Sequence, residues 1–412
     1  MSNGKPTSHA CCTFDDEGTA YSGGANARIY IWKERELQGT YKVHNRGMVS
    51  AMTFVDGKLY SGGKDKQIII SDPSTKEAER TISVDHLVRA LDVVGDKILC
   101  GLLNGSIVEF NGDEPTTLME GHSQGEAWGL APMGEDEFVT CGDDNMVKVW
   151  SISGKNCLGT GVVCEENAKP KRGRASTLSR LAASKCARAV AFDEATGNIA
   201  VGHNDGRVTV RESKDSLDSI VATLTESEEW VECMAYSPCG KFLAVGSHDN
   251  RIYIYNVGES YTHCGTCKAH GSFIVSLDWS SDSTFIRSVC GAHELLFFTI
   301  GEDGAADQDG SGASNTVETE WATSSNKYGW LVTGIFPSGT DGTHINHVDH
   351  SNDGSLIVTG DDFGLVNIWR NPALKGHSPI SLRGHSEHVV RTRFVQGDAY
   401  ILSIGGYDKT IF

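Results

Sequence analysis

Short runs along nearly the whole chain alternate apolar and polar residues over four to six positions, the period-two pattern of a strand with one buried face. The runs pair around a Gly-containing turn that carries Asp or Asn, and the second run ends on an aromatic. The clearest copies are TAYSGGANARIYIW at 19–32, EFVTCGDDNMVKVW at 137–150, FLAVGSHDNRIYIY at 242–255 and LIVTGDDFGLVNIW at 356–369. Weaker copies run through 58–71, 97–110, 198–211, 285–298 and 400–412. In the fourth copy Val147 and Val149 share one face, Lys148 and Trp150 the other, and Gly142, Asp143 and Asp144 turn the hairpin before them.

One turn residue per copy marks the repeat: Asn26, Asp65, Asn104, Asp144, Asp205, Asp249, Ala292, Phe363 and Asp408. Successive markers stand 39–45 residues apart, except for 61 between Asp144 and Asp205 and 71 between Ala292 and Phe363. A strand-only period of roughly 40–45 residues is that of WD40 blades, so the expected fold is an all-β propeller with nine blade-like repeats, some atypical. Rings close with roughly 4–8 blades, so nine units exceed one ring. The expected division is 1–78, the last repeats of an upstream propeller, and 79–412, a C-terminal ring of seven blades. An eight-bladed ring from near Gln38 is the alternative.

In WD40 blades a His, the turn Asp, a strand hydroxyl and a Trp form a buried hydrogen-bonded set. In the fourth copy these are His122, Asp144, Thr140 and Trp150. The trio resembles a catalytic triad, but the same trio is the fold's structural network, stabilising when every member is paired. Elsewhere the set decays: His44, Ser61 and Asp65 lack the Trp, and His385 with Asp408 lacks the strand hydroxyl.

Composition narrows the function classes. A formal charge of −18 argues against general affinity for nucleic acid or anionic membrane, both of which need a basic face. Apolar residues make up 39% of the chain, enough for a sizeable core, yet no apolar run approaches about 18 residues and MSNGKPTSHACC has no signal-like core. The 12 cysteines are spread through strands, as at Cys100, Cys141, Cys233 and Cys290, which fits a reducing cytoplasmic setting rather than a disulfide scaffold.

The two long gaps read as loop insertions at about 160–186 and 301–320. The first holds Lys169, Lys171, Arg172, Arg174 and Arg180 with no acid among them, the one concentrated basic patch, and Lys169, Lys171, Arg172 and Arg174 are candidate contacts for acidic tails. The second places Asp307, Asp309, Ser311, Gly312, Asn315 and Glu318 in the register of a calcium loop, but a strand precedes it where a helix belongs, so it reads as an acidic linker. His263, Cys264, Cys267 and His270 resemble zinc ligands, yet one CxxC on an alternating strand does not bring four side chains together. Asp362, Phe363 and Gly364 spell a kinase triplet with no other kinase motif in the chain. No metal or cofactor is expected.

With these residues in view, the chain resembles the echinoderm microtubule-associated protein-like family. The specific stretches are GHSQGEAWGLAP at 121–132, YSPCGKFLAVGSHDNRIYIYNV at 236–257, GTDGTHIN at 339–346, VTGDDFGLVNIW at 358–369 and GHSEHVVRTRF at 384–394. The resemblance maps the chain onto the C-terminal part of the family's tandem propellers. It implies a fragment, expected to be monomeric, because the family's N-terminal coiled coil has no counterpart and the ninth unit stops short of its closing aromatic. It further implies a non-catalytic scaffold in the cytoplasm, on the microtubule cytoskeleton, with tubulin or other cytoskeletal proteins as partners. A generic WD40 adaptor is the alternative. A propeller enzyme is the third reading, and it needs inward charged clusters from several blades, where the sequence displays only structural His–Asp pairs.

Overall fold

The structure, a computed structural model, describes residues 7–163, 186–336 and 344–412. Its strands form eight four-stranded antiparallel sheets and one two-stranded sheet. Within each sheet the strands follow one another in chain order, so every connection is a hairpin. The fold is all-β and of the propeller type, with nine blade-like sheets among the described residues.

The hairpin between second and third strands explains the marker residues. The residue after each marker has a left-handed backbone: Ala27, Lys66, Gly105, Asn145, Gly206, Asn250, His293, Gly364 and Lys409. At Asn104, Asp144, Asp205, Asp249 and Asp408 the marker's side chain holds that turn by accepting the amide two residues on, as in Asp144 Oδ1 from Met146 at 3.1 Å and Asp408 Oδ1 from Thr410 at 3.0 Å. Where the marker is Phe363, Asp361 takes over, accepting from the amides of Phe363 and Leu365 at 2.9 Å each.

Alternation with one buried face holds for some strands, such as Lys97–Leu102, but not for all. Phe242–Ser247 is buried at every position, because Leu243 and Val245 pack into the core on one side and Phe242 and Ala244 into the core on the other. Lys148 and Trp150, on the face opposite Val147 and Val149, are likewise buried. The Lys148 ammonium reaches the Thr160 hydroxyl at 3.2 Å.

Contacts divide the chain into two units, 1–123 and 124–412. The first unit holds three sheets whose first strands, His9–Phe14, Val49–Val55 and Val88–Val94, pack in series. The expected boundary at 78 would cut through one core: Ile68, Ile70 and Ile82 of the second sheet pack with Val88, Ile98, Val108 and Phe110 of the third. The division therefore falls one sheet later.

The second unit holds six sheets among its described residues, with first strands Ala127–Met133, Ala187–Phe192, Val231–Tyr236, Ile274–Trp279, Ile345–His350 and Val389–Val395. The last packs against the first through Ala127, Leu130, Val390 and Ile404, which closes a ring. Seven or eight blades were expected. The sheet that starts at Val88–Val94 falls in the first unit, which leaves six here. The 71-residue gap is itself more than an acidic linker. Ala306–Gln308 is the fourth strand of its sheet, pairing with Phe298, Thr299 and Ile300, and Gly312–Asn315 is a short helix. Residues 321–328 then form an irregular wedge between the sheets of Ile274–Trp279 and Ile345–His350. Asp278, fully buried, accepts from Thr323 Oγ1 at 2.7 Å, the Ser325 amide at 2.7 Å and Asn326 Nδ2 at 2.8 Å. Lys327 Nζ bonds to the Ile345 carbonyl at 2.9 Å on the other side.

Candidate functional site

Every inner strand of the second unit carries one extra residue near its start. The pairing with the second strand skips Trp128, Arg188, Glu232, Val275, Asn346 and Val390. A bulge leaves its residue out of the ladder and re-aims the side chain. Repeated in each sheet, it turns one residue per sheet toward one end of the ring. Five of the six line a cavity of about 430 Å³, together with His248, Phe273, Lys327, His388 and Arg391.

Charge at this mouth is matched internally. The Arg188 guanidinium lies 4.3 Å from the ring centre of Trp128 and 4.5 Å from that of Trp230, and it reaches Asp143 at 3.1 Å. Such double stacking holds the cation by attraction to the two ring faces. Arg391 crosses the ring to Glu232, meeting its carbonyl at 3.0 Å and its carboxylate at 3.5 Å, while His248 meets the same carboxylate at 3.2 Å. Burial pushes the Glu232 carboxyl up, but the His248 hydrogen bond and the Arg391 charge outweigh it and hold the group below the usual range. His388 bonds to Glu126 at 3.3 Å, which raises the imidazole. Burial lowers the Lys327 ammonium.

Around this neutralised floor stands an aromatic rim. Trp230, His248 and Phe273 stack in succession at 5.3 and 4.6 Å, and Tyr407 stands edge-on to His388 at 5.8 Å. Trp230 is 37% exposed, Phe273 41% and Tyr407 59%. Exposed aromatics beside Arg, over paired charges, are the composition of a docking surface.

The sequence-derived sites fare unevenly. Trp150 Nε1 donates to Thr140 Oγ1 at 2.8 Å, Asp144 caps its turn, and His122 is buried in the first unit. Trp369 and Thr359 repeat the bond at 3.2 Å. The His44 set is present: Nδ1 meets Asp65 at 3.0 Å and Nε2 meets Ser61 at 2.9 Å. The His385 set, expected to lack its hydroxyl, is complete in that respect, for Nε2 meets Ser403 Oγ at 2.8 Å and Nδ1 meets Asp408 at 3.1 Å. One extra residue in the turn moves the hydroxyl a position earlier than the repeat spacing suggests. Lys169, Lys171, Arg172 and Arg174 lie outside the described residues. Asp307 sits in a strand, and Asp309 spends its oxygens on the Ser311 amide and Asn315 Nδ2, both at 2.8 Å. The HCGTCKAH side chains diverge: His263 bonds to Thr266, Cys264 to the Ile254 carbonyl and His270 to Ser288.

Sequence reasoning missed the mouth itself, and with it an inward charged cluster drawn from several sheets. A signal existed. The six bulged residues stand 16–18 positions before their turn markers, a fixed slot that alternation alone does not single out.

Comparison with known proteins agrees with this geometry. The family model described as the echinoderm microtubule-associated protein second beta-propeller matches residues 127–412, from the first inner strand of the second unit to the last residue. The ciliary WD repeat-containing protein ctxp80 of Euplotoides octocarinatus is 61% identical over 410 residues, 99% of this chain and 57% of that protein. The 77 kDa echinoderm microtubule-associated protein of Strongylocentrotus purpuratus is 33% identical over 420 residues, 98% of this chain and 57% of that protein. Echinoderm microtubule-associated protein-like 1 of Homo sapiens is 32% identical over 423 residues, covering 99% and 48%. The chain thus spans about half the length of the curated relatives it matches. With nine blade-like sheets and a second ring that coincides with the matched domain, this chain belongs to the echinoderm microtubule-associated protein-like family.

Proposed function

We propose that the chain is a non-catalytic WD40 scaffold of the microtubule cytoskeleton, acting in the cytoplasm and binding tubulin or an associated cytoskeletal protein at the mouth of the second ring. The relatives' names supply the microtubule connection. The observation that carries the reading is the mouth: bulge-presented side chains, a charge-paired floor and an exposed aromatic rim. The acids Glu126 and Glu232 are each engaged, by His388 and by Arg391, which suits docking better than proton transfer. A chain of −18 is repelled by an acidic polymer, so lattice contact falls to the basic cluster of Lys169, Lys171, Arg172 and Arg174, acting as a salt-screened electrostatic contact.

The test is the affinity of purified tubulin for the chain and for a Phe273→Ser/Tyr407→Ser variant. Loss of two rim aromatics should weaken binding by about tenfold or more, with thermal stability retained. Unchanged affinity in a folded variant would remove the mouth as the docking surface.

A further inference from the structure

The sheet of Ile274–Trp279 builds its buried histidine set differently from its sisters. In the His44 and His385 sets, imidazole Nδ1 pairs with a turn aspartate at 3.0 and 3.1 Å. The residue opposite the first inner-strand position there is glycine, Gly63 opposite Val49 and Gly405 opposite Val389. A Cβ at Gly63 would come within 3.0 Å of His44 Nδ1, and one at Gly405 within 2.6 Å of His385 Nδ1. In the third sheet of this type the corresponding residue, opposite Ile274, is Cys290, and the turn marker is Ala292 rather than Asp. A thiol therefore occupies the space beside the imidazole, and the aspartate is replaced by a longer acid, Glu294, reaching in from two residues further on.

The result is a convergence of three donor types. His270 Nε2 bonds to Ser288 Oγ at 2.7 Å, which turns Nδ1 toward Cys290 and Glu294. That Nδ1 has no hydrogen-bond partner, although His270 is only 7% exposed. Glu294 Oε2 lies 3.8 Å from Nδ1 and 3.2 Å from Cys290 Sγ, and the Gly271 amide orients it at 2.8 Å. One donor atom from each of the three residues falls within a 4.8 Å span. Tetrahedral zinc, with bonds of about 2.0–2.3 Å to nitrogen, oxygen and sulfur, sets edges of roughly 3.3–3.6 Å between its ligands. The observed separations bracket that range.

We propose that His270, Cys290 and Glu294 form a site for a thiophilic divalent transition metal of the zinc class. Ser288 and the Gly271 amide are its outer hydrogen bonds, fixing the imidazole and the carboxylate. Binding replaces the Cys290 S–H bond with a sulfur–metal bond and releases the proton to solvent. Three protein ligands leave one position open. The Glu294 side chain is 42% exposed, and Cys290 lines the cavity at the ring mouth, so that position is reachable from the docking surface.

The test is cobalt(II) titration of the reduced protein, followed by displacement with zinc. We expect one equivalent to give tetrahedral d–d bands and a thiolate-to-cobalt charge-transfer band, both removed by zinc. Cys290→Ser should abolish the charge-transfer band, and its small side chain suits a position that is glycine in the sister sheets. Glu294→Gln, at an exposed side chain, should weaken binding at least about tenfold, since even outer hydrogen bonds change metal affinity by that factor. Cys239→Ser and Cys264→Ser should leave the titration unchanged. Absence of the charge-transfer band in the wild-type chain, its persistence in Cys290→Ser, or unaltered affinity in Glu294→Gln would each overturn the site.

Discussion

Three histidines show how single substitutions redirect one structural device. His44 and His385 are locked between a strand hydroxyl and a turn aspartate, whereas His270 keeps the hydroxyl and loses the aspartate. Ser403→Ala or Asp408→Ala should destabilise the second unit by about 1–3 kcal/mol, by stranding a buried partner, as read from urea unfolding. We propose the same role for Asp144 with Thr140 and Trp150, and a structural role for buried His122 within its own unit. His122→Ala and Asp144→Ala should each cost about 1–3 kcal/mol without weakening partner binding, and wild-type stability in either would remove that residue's role. The Glu126–His388 pair adds a pH signature. His388 is raised, chiefly by its bond to Glu126, so its contribution is complete below pH ~6.5 and lost as pH rises through its folded value. Glu126 is pushed up by burial but held low overall by His388 and Tyr407, so its contribution is present above pH ~4.5 and lost as pH falls. The melting-temperature gap between wild type and His388→Gln should be widest between about pH 4.5 and 6.5 and shrink above. A gap that ignores pH would contradict the pairing.

Elements were legible wherever pattern and turn chemistry agreed. All nine turns carry the left-handed residue directly after the marker, since a tight hairpin is set by adjacent residues. The wedge at 321–328 was not legible, because its order comes from Asp278, more than forty residues away, rather than from any local period. Asp278→Ala leaves Arg287, Ser325 and Asn326 without their shared acceptor. It should cost about 3–5 kcal/mol, as breaking a buried ion pair does, and speed amide exchange across 321–328. Exchange unchanged there would mean the wedge is held by something else. The acidic stretch makes the opposite expectation. Millimolar calcium should not raise the melting temperature, because Asp309 already holds its own turn and Asp307 belongs to a strand. A rise of several degrees, lost in Asp307→Ala, would contradict that.

Across the whole chain, the repeat announced a propeller and the family motifs its lineage, while the boundary and the blade count escaped. Both depend on which sheets share a core: Ile68 and Phe110 bind the third sheet to the second, and Ala127 meets Val390 across the closure. Repeat spacing is blind to such packing. The docking mouth escaped for a related reason, since six residues scattered over 263 positions, from Trp128 to Val390, converge only through repeated bulges. We propose that this strongly acidic scaffold meets microtubules by local, screened charge. Cosedimentation with purified microtubules tests it, comparing the chain with one in which Lys169, Lys171, Arg172 and Arg174 are changed to Gln. Weak pelleting near 50 mM salt should fall toward 200 mM, where screening lengths shrink to about 8 Å or less, and should vanish in the neutralised chain. Strong pelleting that ignores salt and survives the neutralisation would contradict the account.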